Sequence, residues 1–177
     1  AVAGPFVQFI GSRGWMAVVV LAFVVFYKLG DSMAGVMTNP FLVELGFSKV
    51  EIANVSKIYG FTATMAGLAI GGWLLNASGM VKSLWICGIL QLLSNLMFAA
   101  QAEVGYSVSF LALTIGFENL ASGMGTAIFI AYLSSLCNIA YTATQYALLS
   151  SLFAIPRTLI SSGTGYVAEA VAWTDFF

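Results

Sequence analysis

The stretch Ser107–Cys137 constrains this chain most. It is long and apolar enough to cross a bilayer as a helix, which takes about 20 residues, yet it carries Glu118 and Asn119 side by side near its middle. An acid at that depth costs roughly 2.5–3.5 kcal/mol on insertion scales, so it belongs against other helices or water rather than lipid. Just beyond it, Ala121, Ser122, Gly123 and Gly125 remove bulk and let another backbone approach closely. An acid beside a close-packing seam at mid-membrane points to a site rather than a scaffold.

The rest of the composition agrees with a membrane chain. Of 177 residues, 60% are hydrophobic and 7% charged, and the mean hydropathy is +0.98. Soluble domains carry about 25% charged residues, so a water-soluble globular fold is excluded. The net charge of -1 argues against a nucleic-acid partner. Histidine is absent, which removes the usual neutral-pH proton carrier and the commonest metal ligand and leaves proton chemistry to carboxylates. Cys87 and Cys137 fall on separate expected helices and make neither a CxxC pair nor a disulfide framework. No nucleophile–base pair or metal cluster is present to support an enzyme, and no metal or cofactor is expected.

In chain order, residues 1–14 read as an amphipathic lead-in from a central linker, and residues 15–177 as an all-α transmembrane half-bundle. Spans are expected at about 15–38, 49–75, 82–101, 107–137 and 142–168. Trp15 is an interfacial anchor for the first span, which Asn39-Pro40 is expected to end, leaving Phe41–Phe47 as a connector. Ser48-Lys49-Val50-Glu51 fits a capping box that opens the second span, and Gly67-Leu-Ala-Ile-Gly71 within it is a GxxxG packing face. Asn76–Val81 is expected as a turn. The closing Trp173–Phe177 reads as the entry to a sixth span, and the chain as an excerpt of a longer membrane protein. Arg13 and Lys82 fall on one side of this arrangement, which the positive-inside rule makes cytoplasmic.

Several polar residues fall inside these spans. Lys28, about 20 Å in from Trp15, shares a helical face with Asp31, as a self-neutralising pair or a functional one. Lys57 lies in the first turns of the second span, where a lysine can also snorkel to the interface. Gln91 and Asn95 sit at i, i+4 on one face, for interhelical hydrogen bonds or for a solute. The fifth span holds Gln145 and Arg157, the latter about 22 Å from Thr142 and next to Pro156. Arginine cannot shed its proton there, so it must meet an acid, a carbonyl or an anionic ligand.

Six spans make one half of a major facilitator fold, a three-plus-three inverted repeat with its site at the midplane. The run from Gly72 to Lys82 resembles that superfamily's loop after the second helix, G-x-L-x-D-R-x-G-R followed by basic residues. Gly72, Leu74, Gly79 and Lys82 match. Asn76 replaces the acid, and Ala77, Met80 and Val81 replace basic positions. The chain more closely resembles the AmpG-like muropeptide permeases. The residues that carry this are Phe26–Asp31, Gly46-Phe47 with Glu51-Ile52, Gly88–Gln91 with Ser94-Asn95, and Phe117–Leu120 with Gly123–Thr126. Leu136–Asn138, Ala143–Gln145 with Ala147–Ser150, Arg157, Gly165, and Glu169-Ala170 with Trp173 complete the pattern. The resemblance runs from Pro5 onward and covers the family's second six-helix half.

That resemblance implies proton-driven import of anhydro-muropeptides, cell-wall breakdown products, across the bacterial inner membrane. Its partners would be lipid, a glycopeptide solute, protons and the N-terminal half-bundle of the same chain. The intramembrane charges Lys28, Asp31, Lys57, Glu118 and Arg157 leave a formal excess of one positive, suited to an anionic solute. Gln91, Asn95, Asn119 and Gln145 are its candidate hydrogen-bond partners, and Asp31 and Glu118 are the candidates for the coupling proton. A transporter of the same fold for another anionic solute, such as an acyl-coenzyme A or a drug, is the alternative. A membrane-embedded enzyme or channel subunit is the third class.

Overall fold

A computed structural model describes residues 14–27, 29–137, 143, 146–147, 150–151 and 173–177. The described residues form helices and turns without strands. In chain order these are α1 Trp15–Tyr27, α2 Leu29–Glu44, α3 Lys49–Val55, a π turn Ser56–Gly60, α4 Phe61–Ser78, α5 Met80–Val104, α6 Val108–Leu136 and α7 Trp173–Phe176. Four stretches are long and apolar enough to cross a membrane: Ala17–Glu44, Lys49–Ser78, Met80–Val104 and Val108–Leu136. The protein is thus an all-α, multi-pass membrane bundle. The fifth expected span, 142–168, lies outside the described residues except at a few positions.

Two ends differ from expectation, for one reason. Inside lipid a backbone group outside a helix has no water to bond, so helices run as far as their caps allow. Pro40 does not end the first span: α2 continues through it to Glu44. Phe41 and Leu42 are fully buried and hold the helix in place past the proline. The stop is Gly46, whose φ of 95° is the left-handed C′ position. The Phe47 amide donates to the Leu42 carbonyl at 3.1 Å and the Gly46 amide to Val43 at 3.0 Å, a Schellman motif. The second difference is the expected turn Asn76–Val81, which shrinks to Gly79 alone at φ 77°. The Ser83 hydroxyl donates to the carbonyls of Gly79 at 2.8 Å and Leu74 at 3.2 Å, closing the chain reversal.

The capping box at Ser48 forms as its spacing requires. The Glu51 amide donates to Ser48 Oγ at 3.2 Å, and the Ser48 amide to Glu51 Oε2 at 2.9 Å. Tyr106, in the link between α5 and α6, donates its hydroxyl to Glu51 Oε1 at 2.6 Å. That bond raises the Tyr106 phenol above its ordinary range and ties the start of α3 to the α5–α6 link at one end of the bundle. The core at this end joins Phe41, Leu42, Phe47, Ile52, Val55, Phe98, Leu111 and Ile115, with Trp173 and Phe177 packed against it. Phe177 stacks on Phe98 at 5.1 Å, which docks α7 on α5. Toward the other end, α1 lies on α6 through Ala17, Val24, Phe129 and Leu133.

The tightest contact is between α4 and α6, which run parallel. A Cβ on Gly67 would lie 2.4 Å from the Leu120 carbonyl, and one on Gly71 2.8 Å from the Met124 carbonyl. From the other side, a Cβ on Gly123 would lie 2.7 Å from the Thr64 carbonyl. The GxxxG face of the second span and the small-residue run of the fourth are therefore the two halves of one seam. Outside it, large apolar side chains such as Trp73, Trp85, Leu92 and Leu113 are exposed, as lipid contact requires.

These contacts set opposite outcomes for two glycines in one helix. Gly67→Ala should destabilise the protein by about 1–3 kcal/mol, because the new methyl meets backbone that cannot yield. Gly72→Ala, with open space around it, should be neutral or stabilising by up to about 1 kcal/mol through helix propensity. Thermal unfolding in detergent distinguishes the two. Equal stabilities would contradict the close approach of α4 and α6.

Candidate functional site

The seam brings Asn119 of α6 against the start of α4. Its Nδ2 donates to the Ile115 carbonyl at 2.8 Å and to Glu118 Oε2 at 2.8 Å. Its Oδ1 accepts from the Thr64 hydroxyl at 3.1 Å, while that hydroxyl also lies 2.9 Å from the Gly60 carbonyl. A Cβ on Gly60 would sit 3.3 Å from Asn119 Nδ2. The Glu118–Asn119 pair is thus wired into the helix opposite. Both residues are half-buried at mid-helix.

Gly60 ends the π turn, in which the Phe61 amide reaches back five residues to the Ser56 carbonyl. Thr62 donates its hydroxyl to the Ile58 carbonyl at 2.7 Å, so side-chain hydroxyls cover carbonyls that the wider turn displaces. Lys57 sits on this turn, exposed, on the helix that faces Glu118 and Asn119.

A second polar group approaches from α5. Gln91 is buried, and its Nε2 has no hydrogen-bond partner among the described residues. It fits there because Gly125 has no side chain: a Cβ would fall 2.4 Å from Nε2. Glu118, Ser122 and Gly125 recur at i, i+4 and i+7, one stripe along α6. Further along, the Thr114 hydroxyl lies 3.4 Å from Gln101 Oε1, which fixes the antiparallel register of α5 on α6. In that register the half-buried Asn95 lies near the level of Leu120 and Ala121, between Gln91 and Glu118.

Of the residues expected from sequence, the structure gathers Glu118, Asn119, Gln91 and Asn95 around one length of α6 and puts Lys57 on the facing π turn. Asp31 lies on α2, its side chain outside the described set. Lys28, Gln145 and Arg157 also lie outside the described residues. Sequence reasoning missed Gly60 and Thr64. They were readable, because Gly60, Thr64, Gly67 and Gly71 form a continuous small-residue stripe at helical spacing. Gln101 was missed too, but its Nε2 donates to the Gly105 carbonyl at 2.8 Å, a bond that holds the C-cap residue at the end of α5. No group of three or more metal-ligating side chains occurs among the described residues.

A buried amide without a partner is destabilising by about 1–3 kcal/mol. Gln91→Met, similar in volume and apolar, should therefore raise stability in detergent. If Gln91 is kept to bind something, the same variant should bind or transport less well. A Gln91→Met protein that is less stable than the parent would show that the amide has a partner in the resting protein.

No family profile matches the chain. Individual proteins do, along nearly its whole length. It is 38% identical over 176 residues, 99% of the chain, to the putative transporter AmpG 4 of Rickettsia conorii, covering 42% of that protein. It is 37% identical over 160 residues, 90% of the chain, to the putative transporter AmpG 1 of Rickettsia prowazekii, covering 36% of that protein. It is 37% identical over 179 aligned positions, 100% of the chain, to the anhydromuropeptide permease of Escherichia coli K12, covering 36% of it. The chain spans about two fifths of the length of these relatives.

Proposed function

Since the chain is AmpG-like over essentially its whole length, we propose that it is the second half of a major facilitator-type permease that imports anhydro-muropeptides. On this reading it is not an enzyme. It works in the inner membrane with the other half-bundle of such a permease as the facing wall of the path. The observation that carries the proposal is the polar cluster Glu118–Asn119–Thr64, held at mid-helix by an apolar seam and flanked by Gln91, whose Nε2 has no hydrogen-bond partner among the described residues. A scaffold helix in lipid has no use for an acid there.

The division of labour follows from chemistry. Amides of Gln91, Asn95, Asn119 and Gln145 offer both donors and acceptors to the hydroxyl, N-acetyl and peptide groups of a glycopeptide. Lys28, Lys57 and Arg157 offer cations to its carboxylates, with Arg157 alone able to do so as a planar fork. Glu118 takes the coupling proton, with Asp31 as the second carboxylate on the path. Histidine, the usual carrier near neutral pH, is absent, which turns the reading to these two intramembrane carboxylates.

The test uses the full-length parent protein in membrane vesicles with labelled anhydro-muropeptide. Glu118→Gln, which cannot titrate, should still bind the solute and exchange it down a gradient. It should raise the inside concentration no higher than the outside one. Normal uphill accumulation in that variant would remove Glu118 from proton coupling. No muropeptide uptake by the unmodified parent, with uptake of another anion, would overturn the solute assignment.

A further inference from the structure

We propose that the furrow between the first span and α5 seats the helix that follows Phe177 in the parent protein, laid antiparallel to α5. This docking rests on the reading above only in taking the parent to be the longer permease. A repeat in the contacts defines the furrow. The Tyr27 hydroxyl donates to the Leu84 carbonyl at 3.1 Å, and farther along the same two spans the Phe41 and Phe98 rings lie 6.4 Å apart. Both pairs are 57 residues apart in sequence, so 14 residues part Tyr27 from Phe41 as they part Leu84 from Phe98. Fourteen residues are two heptads, after which a packed helix presents the same face. The first span and α5 therefore run parallel and in register, and one furrow lies along both contacts.

One end of the furrow is filled by α7. The Phe177 ring lies 5.1 Å from those of both Phe41 and Phe98, and Trp173 lies 5.2 Å from Phe41. The Phe177 amide donates to the Trp173 carbonyl at 3.3 Å, so the helical turn includes Phe177. Among the described residues the other end is open. It is a groove of about 610 Å³ lined by Phe23 and Tyr27 of α1, Leu84, Gly88 and Leu92 of α5, and Tyr132 of α6. Its aromatic wall is preformed, with Phe23 against Tyr27 at 5.1 Å and edge-on to Tyr132 at 5.4 Å. Neither Gln91 nor any residue of the Glu118 cluster lines it, which makes it unsuited to a polar solute.

An apolar groove in a membrane holds either lipid or another helix. Continuity with the contact that α7 already makes favours a helix. So does Gly88, where a Cβ would meet Tyr27 alone, at an ordinary 3.8 Å. The described helices do not need a glycine there, and its bare backbone leaves room for another helix to approach closely. The lengths agree. A helix that enters beside Phe98 crosses back along α5, and at 1.5 Å per residue Leu92 lies about 9 Å from Phe98 and Gly88 about 15 Å. Val81, which also lines the groove, lies about 26 Å away, and a span of about 20 residues covers that distance. Leu92 and Trp85 belong to the exposed apolar surface of α5, and this docking gives that part of it to protein rather than to lipid.

Disulfide mapping in the full-length parent, with Cys87 and Cys137 replaced by alanine, tests this directly. Leu92→Cys, or Gly88→Cys should the first variant fail to fold, is combined with single cysteines placed in turn along the about 20 residues after Phe177. Bond formation under mild oxidation is read as loss of maleimide labelling. Links from Leu92→Cys should peak about six residues past Phe177 and those from Gly88→Cys about ten, recurring every three to four residues. A parent that takes up muropeptide yet forms no such links from either position overturns the docking and leaves the groove to lipid. Links that join two chains overturn it in favour of a second copy, and links to cysteines placed within residues 152–168 in favour of the fifth span. The expected links in a parent that takes up no muropeptide would instead overturn the transport reading and leave the docking standing.

Discussion

The structure depends on the close approach of α4 and α6. In lipid, apolar side chains gain little by leaving a solvent as apolar as themselves, so helices associate through packing and interhelical hydrogen bonds. Gly67, Gly71 and Gly123 let backbone meet backbone, where a methyl group at any of them would fall within 3 Å of a carbonyl oxygen. That approach sets the distance from Thr64 to Asn119, and through Asn119 it fixes one face of Glu118. The polar cluster exists because the seam is narrow. Widened by a methyl group, it would lose the Thr64–Asn119 bond first.

The buried polar residues of α5 divide by whether their needs are met. Gln101 is fully buried with both ends of its amide occupied, by the Gly105 carbonyl and Thr114, at the edge of the bundle. Ser94 donates back to the Gln91 carbonyl at 2.8 Å, a local bond that asks nothing of another helix. Gln91 itself sits at mid-helix over a glycine, and its nitrogen has no partner among the described residues. Position alone would not separate these three. Satisfaction of their hydrogen bonds does, and it singles out the residue nearest the Glu118 stripe.

Much of this was legible in the sequence. Hydrophobic run length gave the four described spans, the Ser48–Glu51 spacing gave a cap that forms as read, and the pairing of Glu118 with a small-residue run marked α6. What was not legible was pairwise. GxxxG at Gly67 named a packing face but not its partner, since any neighbouring helix offers backbone. Pro40 read as a stop because its missing amide is a local fact. The burial of Phe41 and Leu42 that carries α2 past it depends on contacts with Phe98 and Phe177 far along the chain. The π turn has no simple sequence mark, and its place beside Asn119 is a property of the folded pair.

On the transport reading, the Glu118 stripe of α6 lines a path that a solute enters from water. Ser122, one helical turn beyond Glu118 on that stripe and half-buried, gives the most direct test. In a full-length parent with Cys87 and Cys137 replaced by alanine, a cysteine introduced at position 122 should react with a water-soluble thiol reagent. Muropeptide should slow that reaction several-fold. A cysteine that never reacts from either side of the membrane, or reacts at a rate the solute leaves unchanged, would show that the stripe faces protein alone, and the account would be wrong.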